Sequence, residues 1–306
     1  MHAGPSTGTP VRSAAFQHRG ALLGALLLSV GILVIELAAG LLGNSVALLA
    51  DAGHVFADVS GIALSAVAIR IANRDPTVGR SFGLYRIEIL AATFNAVLLL
   101  AIAGFVIWEG AGRLRSPAEV QAGPMIVVAA LALVANLIAL QLLGRGQAAS
   151  LTMRATYLEV LGDAAGAGSV LIAGIVIAAT GLRAADGLAA IVIGLLILPR
   201  TWRLLRDSLD VLLEATPKGV DMADVRRHIL EAPGVAAVHD LHAWTITSGM
   251  NVVSAHVVLD EDADPGKLID HLSDCLAGDF DIDHSTFQLE TPEHVVWEGR
   301  AARTRH

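Results

Sequence analysis

Ala50-Asp51-Ala52-Gly53-His54-Val55-Phe56-Ala57-Asp58 is the stretch on which the reading of this chain turns, because it sets ionisable side chains inside a long apolar run, residues 45–71. Residues three and four apart lie above one another on a helix, so Asp51, His54 and Asp58 share a face. An ionisable group in an apolar span is costly unless it has a partner or a task. A second apolar run carries a near copy: His54-Val-Phe-Ala-Asp58-Val-Ser-Gly61 reads against Glu159-Val-Leu-Gly-Asp163-Ala-Ala-Gly166. Each copy puts a metal-ligand side chain at i and a carboxylate at i+4. His54, Asp58, Glu159 and Asp163 together offer one imidazole and three carboxylates, enough for a tetrahedral divalent ion such as Zn2+.

The rest of the chain is apolar as well. Of its 306 residues 54% are hydrophobic and only 16% charged, with a mean hydropathy of +0.63. That excludes a soluble domain of ordinary composition and describes an integral membrane protein. Apolar runs cover about 21–42, 45–71, 87–108, 125–143, 151–180 and 184–205. At about 1.5 Å per residue each can cross roughly 30 Å of hydrocarbon. The first run follows a weakly basic start but is too long for a signal segment and lacks a cleavage site, so it is read as a retained span. Pro199 in the last run is tolerable in a span and is expected to kink it.

Arginine sets the orientation. Arg12, Arg19, Arg70, Arg74, Arg80, Arg86, Arg145 and Arg154 lie at the N-terminus and in the even connections, and Arg200, Arg203 and Arg206 close the last span. The other side has only Arg113, Arg115 and Arg183. The positive-inside rule then puts both termini, and so the acidic tail domain, in the cytoplasm; the expected location is the plasma (inner) membrane. In this orientation His54 and Asp163 both lie about 16 Å above the cytoplasmic face, and Asp58 and Glu159 about 10 Å. Spans two and five are the middle members of two three-span halves of opposite topology, a plan that places a site at midplane.

From Glu214 onward the composition changes: 17 acidic against 7 basic residues, a net of −10, and eight of the 11 histidines. An acidic, histidine-rich unit argues against nucleic acid and suits a cation. Residues 221–231 read as an amphipathic helix stopped by Pro233-Gly234, 235–247 and 251–259 as strands joined at Ser248-Gly249, 264–276 as a second helix, and 285–290 as a third strand. The order αββαβ predicts a small α+β sandwich. The expected division is a cytoplasmic tail at 1–20, a six-span domain at 21–206, a linker at 207–213, the α+β domain at 214–295 and a disordered tail at 296–306. His239, His242, His256 and His284 lie on the strands or at a strand start and, with Glu290 nearby, form a candidate second metal site. His239 and His242 are an odd number apart, so on a regular strand they face opposite sides. Single Cys275 leaves no disulfide framework within a chain. No Walker sequence is present, so neither ATP drive nor an organic cofactor is called for.

At this point the residues meet a known pattern. The chain resembles the cation diffusion facilitator family, in particular its zinc/cadmium/cobalt resistance branch, over nearly all of 21–290. The resemblance rests on Asn44-Ser45-Val46-Ala47-Leu48-Leu49-Ala50-Asp51-Ala52-Gly53-His54, Gly83-Leu84-Tyr85-Arg86-Ile87-Glu88, Leu158-Glu159-Val160-Leu161-Gly162-Asp163, Val238-His239-Asp240-Leu241-His242-Ala243-Trp244 and Ser254-Ala255-His256. It implies a homodimeric antiporter that exports a divalent transition metal from the cytoplasm in exchange for protons. Its metal site would lie between spans two and five, and its cytoplasmic domain would have a metallochaperone-like fold. Zinc-selective members usually have histidine where this chain has Glu159, and the carboxylate suits harder ions such as manganese and cobalt as well.

Other readings compete. Taken alone, one polar pair stabilises a helix contact. Glu36, Glu88, Asn95 and Asn136 read as interhelical hydrogen-bond formers, and Asp51 as a carboxylate that supports a ligand from behind. Arg86 and Glu88 read as an interfacial ion pair. An intramembrane aspartyl protease would use Asp58 and Asp163 as a dyad; the depths instead set each beside a different residue. A metal sensor would bind metal in the tail and show no flux.

Overall fold

The computed structural model describes residues 19–72, 74, 77–144, 151–282 and 284–294. Residues 1–18 of the expected tail at 1–20, with Arg12, the whole expected tail at 296–306, and Arg145 in the connection before the fifth run lie outside the described residues. Six long helices come first: α1 (Arg19–Gly43), α2 (Val46–Ala72), α3 (Arg86–Arg115), α4 (Ala122–Gly144), α5 (Leu151–Thr180) and α6 (Ala184–Leu212). Among the described residues α3, α4, Tyr157–Thr180 of α5 and α6 are long and apolar enough to cross a membrane, and Ser29–Gly43 of α1 is a shorter apolar stretch. Two compact units result. One holds the described residues up to Ala63 together with Phe94–Arg203; the other holds Leu64–Thr93 and the chain from Leu204 onward.

Small residues make the first unit possible. Lipid offers no hydrophobic drive for helices to associate, so close approach must supply the attraction. A Cβ on Gly110 of α3 would lie 2.7 Å from the Gly187 carbonyl of α6, and one on Gly187 would lie 2.6 Å from the Gly110 carbonyl. The two backbones touch there. Leu48, Ala50, Ala57, Leu99, Ala103, Met125, Val170 and Ile193 fill the buried interior. Leu41, Phe94, Trp108, Leu142 and Ile172 are exposed, the inside-out pattern of a surface that meets hydrocarbon.

The α1–α2 joint is tied from several sides. Asn44 takes a left-handed φ of 53°, which asparagine tolerates better than most residues. Its side-chain oxygen accepts from Arg113 Nη2 at 3.0 Å, and its amide donates to the Glu119 carbonyl at 3.0 Å. Ser45 Oγ accepts from the Leu48 N–H at 3.2 Å, capping α2.

Helix α6 carries Pro199 inside it and continues to Leu212, through most of the stretch 207–213 that hydropathy marks as a linker. The apolar run ends near Leu205 but the helix does not. Polarity rises there without a breaker, so the helix continues past the end of the apolar run. Thr201 and Ser208 hydroxyls bond back to the Ile197 and Leu204 carbonyls at 3.0 and 2.9 Å, which satisfies these hydroxyls within their own helix.

The tail folds in the expected order. Helix α7 (Met222–Glu231) starts at N-cap Asp221, whose carboxylate accepts from the Ala223 N–H. Strands β1 (Val235–Thr247) and β2 (Met250–Leu259) pair antiparallel, and β3 (His284–Glu290) joins β2 in parallel, giving the order β1-β2-β3. Helix α8 (Pro265–Phe280) runs four residues beyond the expected 276 and ends at Asp281, φ 54°. Val225, Ile229, Val238, Val253, Val257, Leu268, Leu272 and Leu276 form the core between helices and sheet.

Two expectations for the start of α3 change. Arg86 pairs with Glu214 at 2.9 Å, not with Glu88. Glu88 accepts from the hydroxyls of Thr247 and Ser248 at 2.7 and 3.1 Å, not from another apolar helix. Residues i and i+2 point to different sides of a helix, so Arg86 and Glu88 look for different partners.

Candidate functional site

Helices α2 and α5 approach closely because Gly166 has no side chain: a Cβ there would lie 2.9 Å from Asp51 Oδ1. Four residues further along α2 than His54 comes Asp58, and on α5 Asp163 faces both. His54 Nε2 lies 3.2 Å from Asp163 Oδ1 and 3.6 Å from Asp58 Oδ2. One donor atom from each of these three residues lies within 4.8 Å of the other two. Metal–nitrogen and metal–oxygen bonds of about 2.0–2.2 Å fit donors spaced about 3–4 Å apart. All three side chains are largely buried, with exposures of 12%, 19% and 21%. His54 and Asp58 line a cavity of about 220 Å³ shared with Asp51, Glu159 and Arg200.

Glu159 does not join the three. Arg200 Nη2 on α6 donates to Glu159 Oε1. Sequence spacing along α5 put Glu159 in the donor set, and a cation on a different helix draws it elsewhere. Arg200 entered the sequence reading only as a marker of orientation. Its place inside an apolar run, near the depth of Glu159, is the signal that could have singled it out. Asp58 and Asp163 do face each other, against the depth argument that set each beside a different residue. His54 stands between them and touches both. Asp51 is buried outside the group, as is Glu36 of α1. His54 Nδ1 has no hydrogen-bond partner among the described residues.

A second group sits on the tail sheet. His239 Nε2 lies 3.0 Å from Glu290 Oε2, and His256 Nδ1 2.7 Å from Glu290 Oε1. Their rings approach to a centroid distance of 5.0 Å. These three again offer donor atoms within 4.8 Å of one another. His242 and His284 fall outside the group. His239 pairs with His256 and His242 with Ser254, two residues on, so a β-bulge at Asp240-Leu241 separates them. That bulge overturns the opposite-face expectation: His256 and Ser254 lie two apart on β2, so their partners His239 and His242 fall on one face of the sheet. Asp240 takes φ 46°, a left-handed value that hydropathy patterns do not betray. His242 lines a different recess, with Glu214, Arg226 and Trp244. His284 stands at the far end of β3, paired with Val252.

Glu290 is the centre of this second group. Burial works to raise its carboxyl, but hydrogen bonds from Gln288 and His239 and the charges of His256 and His239 outweigh that and hold it below its ordinary 4.5. A carboxyl that titrates lower in the fold than in the unfolded chain adds stability above its unfolded value. That stability is lost as pH falls through the lower folded value. Glu290→Gln is therefore expected to cost about 2 kcal/mol near neutral pH, with the gap to wild type closing below pH 4. Denaturant unfolding of both proteins at pH 7 and pH 3.5 checks this; an equal gap at the two pH values would refute it.

Comparison with known proteins places this arrangement in a family. Residues 22–213 match the cation efflux transmembrane domain, and residues 217–292 match the cation efflux protein cytoplasmic domain. The chain belongs to the cation efflux family, which is one of transporters. It is 43% identical to the metal cation efflux system protein CzcD of Cupriavidus metallidurans over 267 residues, covering 87% of this chain and 84% of that one. It is 36% identical to the zinc transporter ZitB of Escherichia coli over 292 residues, 93% of each chain. A cadmium, cobalt and zinc/H(+)-K(+) antiporter of Bacillus subtilis is 34% identical over 281 residues, 89% of each. Among solved structures, the metal-bound C-terminal domain of the CzcD transporter from Cupriavidus metallidurans is 44% identical, covering 23% of this chain and 99% of that one with a TM-score of 0.23.

Proposed function

We propose that this protein exports divalent transition-metal cations, zinc foremost with cadmium and cobalt, from the cytoplasm in exchange for protons. The observation that carries the reading is the group of His54, Asp58 and Asp163 between α2 and α5. Its donors are neutral imidazole and carboxylate when metal binds and are protonated when it leaves, so metal and proton compete for the same atoms. Alternating exposure of the group to the two sides of the membrane turns a proton gradient into metal export. Full relatives with matching coverage are named as metal efflux, zinc transport and antiport proteins.

In this reading both termini are cytoplasmic, the membrane is the inner one, and two copies associate through the α+β domain. Metal held by His239, His256 and Glu290 would offset the repulsion between two acidic tails. Zinc is the cargo, and the tail group gives it a second, regulatory place.

The test is flux into inverted proteoliposomes. With the interior acidified, zinc, cadmium and cobalt are expected to accumulate, manganese less so, and a protonophore to abolish the uptake. Absence of any metal flux under a proton gradient would overturn the reading and leave a metal-binding sensor in its place.

A further inference from the structure

Arg200 sits where its charge competes with the cargo. Its guanidinium, on α6, is bonded to Glu159 on α5. Glu159 and Asp163 are four residues apart and share a helical face, so the carboxylate that Arg200 holds points toward the same small cavity as the three-residue group. That cavity is lined by Asp51, Asp58 and Glu159, and Asp163 joins Asp58 around His54. Among the described residues Arg200 is the one arginine or lysine in the lining, and an arginine keeps its charge at every pH the protein meets.

We propose that Arg200 is the resident counter-charge of the metal-free site. It holds Glu159 away from His54, Asp58 and Asp163 until a dication takes its place. The proposal rests on the reading of that group as the transport site. Metal binding then includes an exchange of partners: Glu159 leaves Arg200 and turns to the ion, and Arg200 turns toward the wider part of the cavity. A guanidinium beside a ligand repels the ion that the ligand would hold, so the two states exclude each other. The exchange weakens binding enough to permit release. It also favours double charge over single, since a monovalent ion draws the carboxylate with half the force. Arg200 is a positioning and specificity-determining residue, acting on the cargo through Glu159.

A plain tie between α5 and α6 would look the same in the structure and behaves differently in a binding cycle. Cobalt binding to the full-length protein in detergent is measured by absorption for wild type, Arg200→Gln, Glu159→Gln and the double variant. The signal lost in Asp163→Asn defines the share of the membrane site. Arg200→Gln is expected to tighten that share by about tenfold, and Arg200→Lys, which keeps the charge, by less than about threefold. Glu159→Gln is expected to weaken binding by less than about threefold beside Arg200 and by more than about tenfold in the Arg200→Gln background. Arg200→Met serves as a second neutral variant if the first does not fold. Unchanged or weaker cobalt binding in the neutral variants, or an effect of Glu159→Gln equal in both backgrounds, overturns the proposal while the transport site stands. If Asp163→Asn loses no cobalt signal, the site reading fails and this proposal falls with it.

Discussion

Asp163→Asn is expected to bring zinc flux down to the background of empty liposomes, with the protein still folded. The amide has the shape of the carboxylate and can still accept from His54 Nε2, now 3.2 Å from Asp163 Oδ1. What it lacks is the charge. A dication crossing the membrane interior must be neutralised there, because the surroundings offer little dielectric screening. The group supplies that neutralisation through two carboxylates and one imidazole, so losing one carboxylate removes half of its negative charge. Removing partners that only support a metal ligand commonly costs 10–100-fold in affinity, and a direct ligand is expected to cost at least about 100-fold. Asp58→Asn should behave alike, and Asp51→Asn, outside the three-residue group, should lose less. Zinc uptake into inverted proteoliposomes, with size-exclusion profiles as the check on folding, measures the series. Uptake by Asp163→Asn within a few-fold of wild type would remove this residue from the donor set.

Much of this was legible because the membrane allows few solutions. A backbone with no water to bond must become helix, so long apolar runs announce α1 to α6. The i, i+4 spacing of His54 and Asp58 survives in the structure because it depends only on helix pitch. Glu159 was less legible for the opposite reason. Its own helix offers it to the donor group, and Arg200 on another helix holds it, a tertiary choice that local spacing does not encode. The ends of α3, α6 and α8 run past the expected boundaries because polarity change and chain reversal are different events. The bulge at Asp240 depends on a left-handed residue without glycine. It therefore leaves no mark in the alternation of β1, and spacing alone assigns His239 and His242 to opposite faces where the paired strands put them on one.

Asp186→Ala is expected to be the most damaging change outside the metal group. Asp186 lies in the first turn of α6 and is fully buried, 0% exposed. Its Oδ1 accepts from Ser45 Oγ at 2.5 Å and from the Ala47 N–H at 3.2 Å, and its Oδ2 accepts from the Val46 N–H at 2.9 Å. Those N–H groups open α2, where no intrahelical acceptor exists. A carboxylate from a distant helix thus caps α2, and its charge also meets the positive end of the helix dipole. Alanine would strand three buried donors at once. Loss of an ordinary N-cap costs about 0.5–2 kcal/mol, and a buried charged acceptor with three partners is expected to cost about 3–5 kcal/mol. In a unit of this size that corresponds to roughly 6–20 °C in the unfolding midpoint. Asp186→Asn keeps one oxygen and should lose less than half as much. Neighbouring Gly187, packed on Gly110, leaves the start of α6 no room to slide and find another acceptor. His54 lies about 12 Å along α2 from this cap, so a frayed start also unsettles the metal group. Thermal unfolding in detergent, paired with zinc uptake, follows both effects; an alanine variant that unfolds within 2 °C of wild type would show that α2 is held by something else.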